Sequence, residues 1–310
     1  MKKIIFLFTG IILTLLLMVN CSGKKDSKKW VVGFSQCNSA EPWREAMNKS
    51  MMTEAAKHPE IELIISDGQQ DNAKQVADVE NFLVKEVDLL IISPNEAKPL
   101  TAVVGRVFNK GIPVVVLDRK IDSETFTTFI GADNLLIGRE AGKFAALTLN
   151  GKGKIVELWG LKGSTPAQER HDGFAEGIKD YPEIEIIYAQ DGAWLRRRGK
   201  EIMENALQSL EQIDLVYGHN DPMAIGAFIA AKNAGRENEM KFLGIDALPG
   251  PEGGCQAVID GQLTATFLYP NCGKEAVEYA LKILKGEEVP EYVTLKTAKI
   301  IADNAAEYVK

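Results

Sequence analysis

Cysteine and histidine are scarce in this chain. Of 310 residues, four are cysteine and three are histidine: His58, His171 and His219. Their spacing matches no zinc motif, so no metal is expected. Phosphate-cradling loops are missing too. Gly151-Lys-Gly153 and Gly253-Gly254 do not fall in a strand–GxGxxG–helix order, and no Gly-Lys-Ser/Thr occurs. No nucleotide or other cofactor is therefore expected. No serine is paired with a histidine in a nucleophile motif, which leaves an enzyme reading without its first group. Positive charge is also short, with 36 Lys and Arg against 43 Asp and Glu for a net charge of -7. Arg196-Arg-Arg198 reads as a solvated helix face, so nucleic acid is not an expected partner. The long apolar run is Ile4 to Val19, 16 residues broken by Thr9, Gly10 and Thr14. A membrane span needs about 20. With Lys2-Lys3 ahead of it, the run reads as a signal peptide over residues 1–20.

What is present is an ordinary globular composition, 45% hydrophobic and 25% charged, long enough for two domains. From Trp30 onward, strand-like and helix-like stretches alternate. Val31–Ser35, Ile61–Ile65, Val87–Ile92 and Val114–Leu117 read as strands, with helices over 43–57, 72–85 and 99–110 between them. The alternation resumes with a helix over 136–149, strands near 154–159, 184–189, 215–217 and 241–245, and helices over 166–179, 194–210 and 222–234. Repeated βα units imply right-handed crossovers and mostly parallel sheets. One open sheet of about ten strands would be unusual at this length, so two similar α/β domains are expected. They are placed at 30–131 with about 268–310, and at 132–247 with about 248–267. The last helix, Lys274–Leu284, should return to the first domain.

Charged and amide residues recur at the strand ends. Asp118-Arg119 follows Val114–Leu117, His219-Asn220-Asp221 follows Ile213–Tyr217, and Asp246 follows Lys241–Ile245. The carboxyl ends of parallel strands are where ligands are held. A carboxylate beside a guanidinium fork suits vicinal hydroxyls, which both donate and accept. The residues alone thus point to one crevice for a polyhydroxylated small molecule.

These marks together resemble the bacterial periplasmic sugar-binding proteins of the ribose/galactose type. The residues that carry the resemblance are Asp118-Arg119, Ala132-Asp133-Asn134 with Gly138, and Glu169-Arg170 with Gly173-Phe174. Asn220-Asp221-Pro222-Met223-Ala224 with Gly226, and Gly244-Ile-Asp246, complete them. Gly33-Phe-Ser-Gln36 before Glu41-Pro-Trp-Arg44, with Asp67-Gly-Gln-Gln70, looks nearest to the galactofuranose-binding branch. No helix-turn-helix precedes residue 30, which sets aside the repressors that share the fold.

The resemblance implies a periplasmic-binding-protein type I clamp whose cleft lies at a hinge of three crossings, near 131–134, 246–250 and 264–270. Asp118, Arg119, Arg170, Asn220 and Asp246 would bind ring hydroxyls, and Trp43 and Trp194 would stack on the sugar. Arg44, Gln36 and Arg196 would complete the branch-like set, with Tyr269 at the second hinge where ribose binders have glutamine. Asp133 and Asn134 are expected as hinge or capping residues, and His171 and His219 as wall groups. Met18-Val19-Asn20-Cys21 resembles a lipobox, making Cys21 the lipidated residue and 21–29 a polar tether. Cys37, Cys255 and Cys272 remain; an oxidising compartment would allow Cys255 and Cys272 to pair, which spacing alone does not decide.

The implied protein is a monomeric, lipid-anchored periplasmic protein that passes a monosaccharide or polyol to the permease of an ABC transporter. The alternatives are a receptor on the same fold acting on a membrane kinase or chemoreceptor, and a carbohydrate-acting enzyme. The enzyme would need an acid and a base flanking a bond.

Overall fold

The computed structural model describes residues 29–309. The signal peptide, Cys21 and all but the last residue of the tether lie outside them. The chain opens with β1 (Trp30–Gln36), α1 (Pro42–Ala55), β2 (Ile61–Asp67), α2 (Asn72–Val84), β3 (Leu89–Ser93), α3 (Ala97–Asn109), β4 (Val114–Leu117) and β5 (Thr128–Ala132). A second run follows: α4 (Asn134–Thr148), β6 (Lys152–Trp159), α5 (Thr165–Ile178), β7 (Glu183–Asp191), α6 (Arg196–Ser209), β8 (Leu215–Gly218), α7 (Asp221–Asn233) and β9 (Lys241–Asp246). It ends with α8 (Gly254–Ile259), β10 (Ala265–Leu268), α9 (Gly273–Leu284), β11 (Tyr292–Leu295), β12 (Lys299–Ile300) and a 3-10 turn at Ala305–Glu307.

The strands form two six-stranded sheets, β2-β1-β3-β4-β5-β11 and β7-β6-β8-β9-β10-β12. Every pairing is parallel except β10 with the edge strand β12. Both sheets reverse direction of growth between their first and third strands, so each opens a crevice at its strand ends. The central strands are buried along their whole length, as in Leu89–Ser93 and Val114–Leu117, which explains their unbroken apolar runs. Proline stands in the first turn of α1, α5 and α7, where its missing N–H costs nothing.

One apolar cluster runs from Val32 and Met47 through Ile130, Ile137 and Tyr269 to Phe174 and Leu243, so the region joining the lobes is itself packed. Helices α4 and α5 approach closely through glycine. A Cβ on Gly138 would lie 2.4 Å from the carbonyl oxygen of Arg170, and one on Gly173 would lie 2.2 Å from that of Leu135. This contact brings Arg170 against the start of α4.

The chain passes between the sheets at 132–134, at 269–272 and at 296–298. The first two agree with the expected places, but 246–250 is not a crossing. There the Pro/Gly stretch only turns the chain within the second lobe, and α8 packs back on β9 and β10. The tail also departs from the expected 268–310 assignment. α9 packs on α1 and β11 joins the first sheet, whereas β12 returns to the second sheet and the final turn packs on α8. The reason is local pairing: Thr297 Oγ1 donates to the Leu268 carbonyl at 2.7 Å, and Leu268 N donates to the Ala298 carbonyl at 2.8 Å. Cys37, Cys255 and Cys272 are all free and buried, so the Cys255–Cys272 disulfide does not form. Each Sγ instead donates to a carbonyl of its own neighbourhood, Ala247 for Cys255 and Pro270 for Cys272.

Candidate ligand-binding site

Asp118 is the residue after β4 and has a φ of 61°. Trp194, in the loop after β7, has 69°, and Asp246, at the end of β9, has 133°. Backbone of this kind costs about 1–3 kcal/mol per residue and persists where surrounding contacts enforce it. All three side chains line one cavity between the lobes, with Glu41, Trp43, Arg44, Arg119, Pro166, Arg170, Asn220 and Tyr269. The space among these side chains, including the part open to solvent, is about 310 Å³.

The first lobe contributes an ion network. Arg44 Nη2 lies 2.7 Å from Asp118 Oδ2, and Arg44 Nη1 donates to Ser93 Oγ at 2.9 Å. Arg119 Nη1 donates to the Asn95 carbonyl at 2.9 Å. Burial pushes the Asp118 carboxyl up, but Arg44, Arg119 and Arg170 together hold it below its usual range. Burial raises Glu41, with Arg44 opposing; Asn38 Nδ2 donates to its Oε1 at 2.8 Å. Trp43 Nε1 donates to the Tyr269 carbonyl at 3.0 Å, and the two rings meet edge-on at 5.5 Å.

In the second lobe, Arg170 donates from Nε to Asn134 Oδ1 at 2.8 Å and from Nη1 to the His219 carbonyl. Asn220 caps α7 by accepting from Met223 N, while its Nδ2 donates to the Trp194 carbonyl at 3.0 Å. One side chain thus starts the helix and holds the loop that carries Trp194. The guanidinium carbons of Arg119 and Arg170 stand 5.5 and 5.4 Å from the Trp194 ring centre, and Arg170 stands 5.0 Å from that of Tyr269. Asp133 caps α4 through Leu136 N, and Asn134 orients Arg170. Beneath this wall Glu157 accepts from Trp159 Nε1 at 2.9 Å and bonds both His171 and His219.

Two expected site residues lie elsewhere. Gln36 is fully buried behind α1, with Nε2 donating to Asn48 Oδ1 at 2.9 Å and Oε1 accepting from Cys37 N. It ends β1 but faces the helix rather than the cleft. Arg196 is 38% exposed and faces Glu252 at 3.5 Å on an outer groove with Phe228 and Lys232. Helix α6 starts at Arg196, two residues later than the stretch suggested, and its first side chain points out. Glu41 and Pro166 were not anticipated. Glu41 precedes a helix-starting proline yet makes no cap hydrogen bond, and an acid released from capping is free to face the cleft.

Across the cleft mouth the lobes also touch directly. Gln70 Nε2 donates to the Ala193 carbonyl at 3.1 Å, Lys120 N to Thr165 Oγ1 at 2.9 Å, and Lys120 Nζ sits 2.6 Å from Glu169 Oε1.

The sequence pattern of the periplasmic binding protein domain matches residues 32–288. The chain belongs to the periplasmic binding protein family. It is 37% identical to the galactofuranose-binding protein of Escherichia coli (strain K12), over 89% of each chain. It is 31% identical to the ribose import binding protein of Bacillus subtilis (strain 168), over 88% of each. Among solved structures, the fructose-binding periplasmic domain of a hybrid two-component system superposes with a TM-score of 0.88 at 45% identity, covering 90% of this chain and 93% of that one. This is a family of sugar-binding proteins rather than enzymes, and the type I fold with two mostly parallel sheets is shared with those structures.

Proposed function

We propose that the cavity holds one neutral monosaccharide or related polyol, bound without chemical change. The observation that carries this reading is the makeup of the lining: three guanidinium groups (Arg44, Arg119, Arg170) stand with three carboxyls (Glu41, Asp118, Asp246) and the Asn220 amide, so donors and acceptors are both dense. Burial raises Glu41 and Asp246 while the arginines hold Asp118 ionised, so a hydroxyl entering the cavity meets acceptors and donors of both kinds. Each hydroxyl taken out of water without a partner costs about 1–3 kcal/mol, so a dense set of donors and acceptors is required. The lining meets that need, and Arg44 Nε, Arg119 Nε and Trp194 Nε1 are buried there without a hydrogen-bond partner among the described residues. Trp43, Trp194 and Tyr269 offer apolar faces to the C–H surface of a ring. The residues assigned to contact are Trp43, Arg44, Asp118, Arg119, Arg170, Trp194, Asn220, Asp246 and Tyr269, with Glu41 added.

In this reading the protein works in the periplasm, tethered by a lipid on Cys21, and delivers its sugar to the permease of an ABC transporter. The delivery role is supported by likeness to ribose import and galactofuranose-binding proteins. A sensory role is favoured by a different observation, the 45% identity to a sensor's fructose-binding domain.

Thermal-shift and calorimetric titration against D-fructose, D-galactose, D-ribose, myo-inositol and D-galacturonate tests the ligand class. A ligand that binds only the folded state stabilises it by about 2.7 kcal/mol at a hundred times its Kd. A shift with a neutral sugar or polyol, recovered unchanged, is the expected result. A shift with the uronate alone overturns the neutral-ligand reading. Loss of sugar uptake on deleting the gene would assign transport, and loss of sugar-dependent transcription with uptake intact would assign sensing.

A further inference from the structure

Asp221 is buried one residue beyond a cavity-lining side chain, yet it does not line the cavity. Its Oδ2 accepts from Ala247 N at 2.8 Å, and its Oδ1 accepts from Thr266 Oγ1 at 2.6 Å. Ala247 follows Asp246, and its φ of 54° continues the irregular backbone there. The other end of the same peptide unit is held as well, because the Asp246 carbonyl accepts from Tyr269 N at 3.2 Å. Thr266 lies on β10, the strand that leads into Tyr269. The bonds therefore form a closed ring through Asp221, Thr266, Tyr269 and the Asp246–Ala247 peptide. The space for it is made by glycine: a Cβ on Gly254 would fall 1.8 Å from Asp221 Oδ2, and one on Gly244 would fall 2.2 Å from Oδ1.

We propose that Asp221 is a positioning residue of the site, fixing the strand-end turn that presents Asp246 and locking it to the crossing that carries Tyr269. A carboxylate suits the task because it accepts from a backbone N–H and a hydroxyl at once. Asparagine can substitute: its Oδ1 accepts from Ala247 N while its Nδ2 donates to Thr266 Oγ1, since a hydroxyl also accepts. Leucine matches the volume and supplies neither bond.

The test uses the full chain and two readouts. Amide hydrogen exchange at Ala247, followed by NMR without any ligand, should accelerate about tenfold or more in D221L and remain slow in D221N. The Kd for whichever sugar of the panel binds should rise about ten- to a hundredfold in D221L, and no more than about threefold in D221N. The Kd arm rests on the proposed ligand reading and the exchange arm does not, so failure of all sugars to bind wild type would leave the exchange result decisive. Should D221L not fold, T266V serves in its place, with the same direction expected in both readouts. A folded D221L with wild-type exchange at Ala247, or with wild-type affinity, overturns the proposal. So does a D221N as impaired as D221L, or a T266V unchanged in both.

Discussion

The two lobes face the same cavity with arginines held in opposite ways. In the first lobe Arg44 is paired to Asp118, and both are desolvated. In the second, Arg170 is held by an amide oxygen and a backbone carbonyl, both neutral. A buried pair is costly to break from one side only, because the survivor keeps its charge without its partner. Removing Arg170 breaks no direct ion pair, although its charge also helps to hold Asp118 ionised. The first lobe thus couples recognition to folding more tightly than the second.

The largest effect that would break this contrast is expected from Asp118→Ala. Removing the carboxylate should cost about 3–5 kcal/mol of stability as well as sugar binding, visible as a large fall in Tm and no ligand-induced shift. Arg170→Met should also abolish the ligand-induced shift, but at a smaller cost of about 1.5–3 kcal/mol for hydrogen bonds made by a charged group. Equal losses of Tm in the two variants would remove the distinction.

The pH dependence sharpens the second-lobe side. Burial raises Glu157, but its bonds to His171 and His219 hold it down at about 2. Its contribution is therefore full above the unfolded carboxyl value and is lost as pH falls toward 2. His171 is raised, chiefly by its bond to Glu157. Its contribution is full below the unfolded imidazole value and is lost as pH rises through the folded one. His219 bonds the same carboxylate but burial pushes it down, so His171 is the charged partner. Tm against pH should decline on the alkaline side in wild type, and His171→Asn should flatten that decline. An identical alkaline limb in both would set this pairing aside. The smallest effect is expected from Arg196→Ala, within about 0.5 kcal/mol in stability and unchanged in Kd. A loss of binding there would return Arg196 to the site.

The element order was readable because buried parallel strands give unbroken apolar runs and proline marks helix starts. The cavity-lining residues at the ends of such strands, Asp118, Asn220 and Asp246, stood out for the same reason. What periodicity does not encode is which way a boundary residue points. Gln36 and Arg196 sit at element ends in the right neighbourhood, and each turns away from the cleft. Glu41 stands before a helix rather than at a strand end, so the strand-end signal did not reach it. The crossing expected at 246–250 was misplaced because a Pro/Gly stretch signals a turn without saying whether the chain then leaves its lobe. The true crossing at 296–298 has no such signal, only the pairing of Thr297 and Ala298 with Leu268.

That pairing has a mechanical meaning. Since the last two connections are hydrogen-bonded to each other at Leu268, the three crossings fall at two places. A body pinned at two stations keeps a single free rotation. On the proposed function, a sugar lodged in the cleft would set that one angle, and a membrane partner would need to read nothing else.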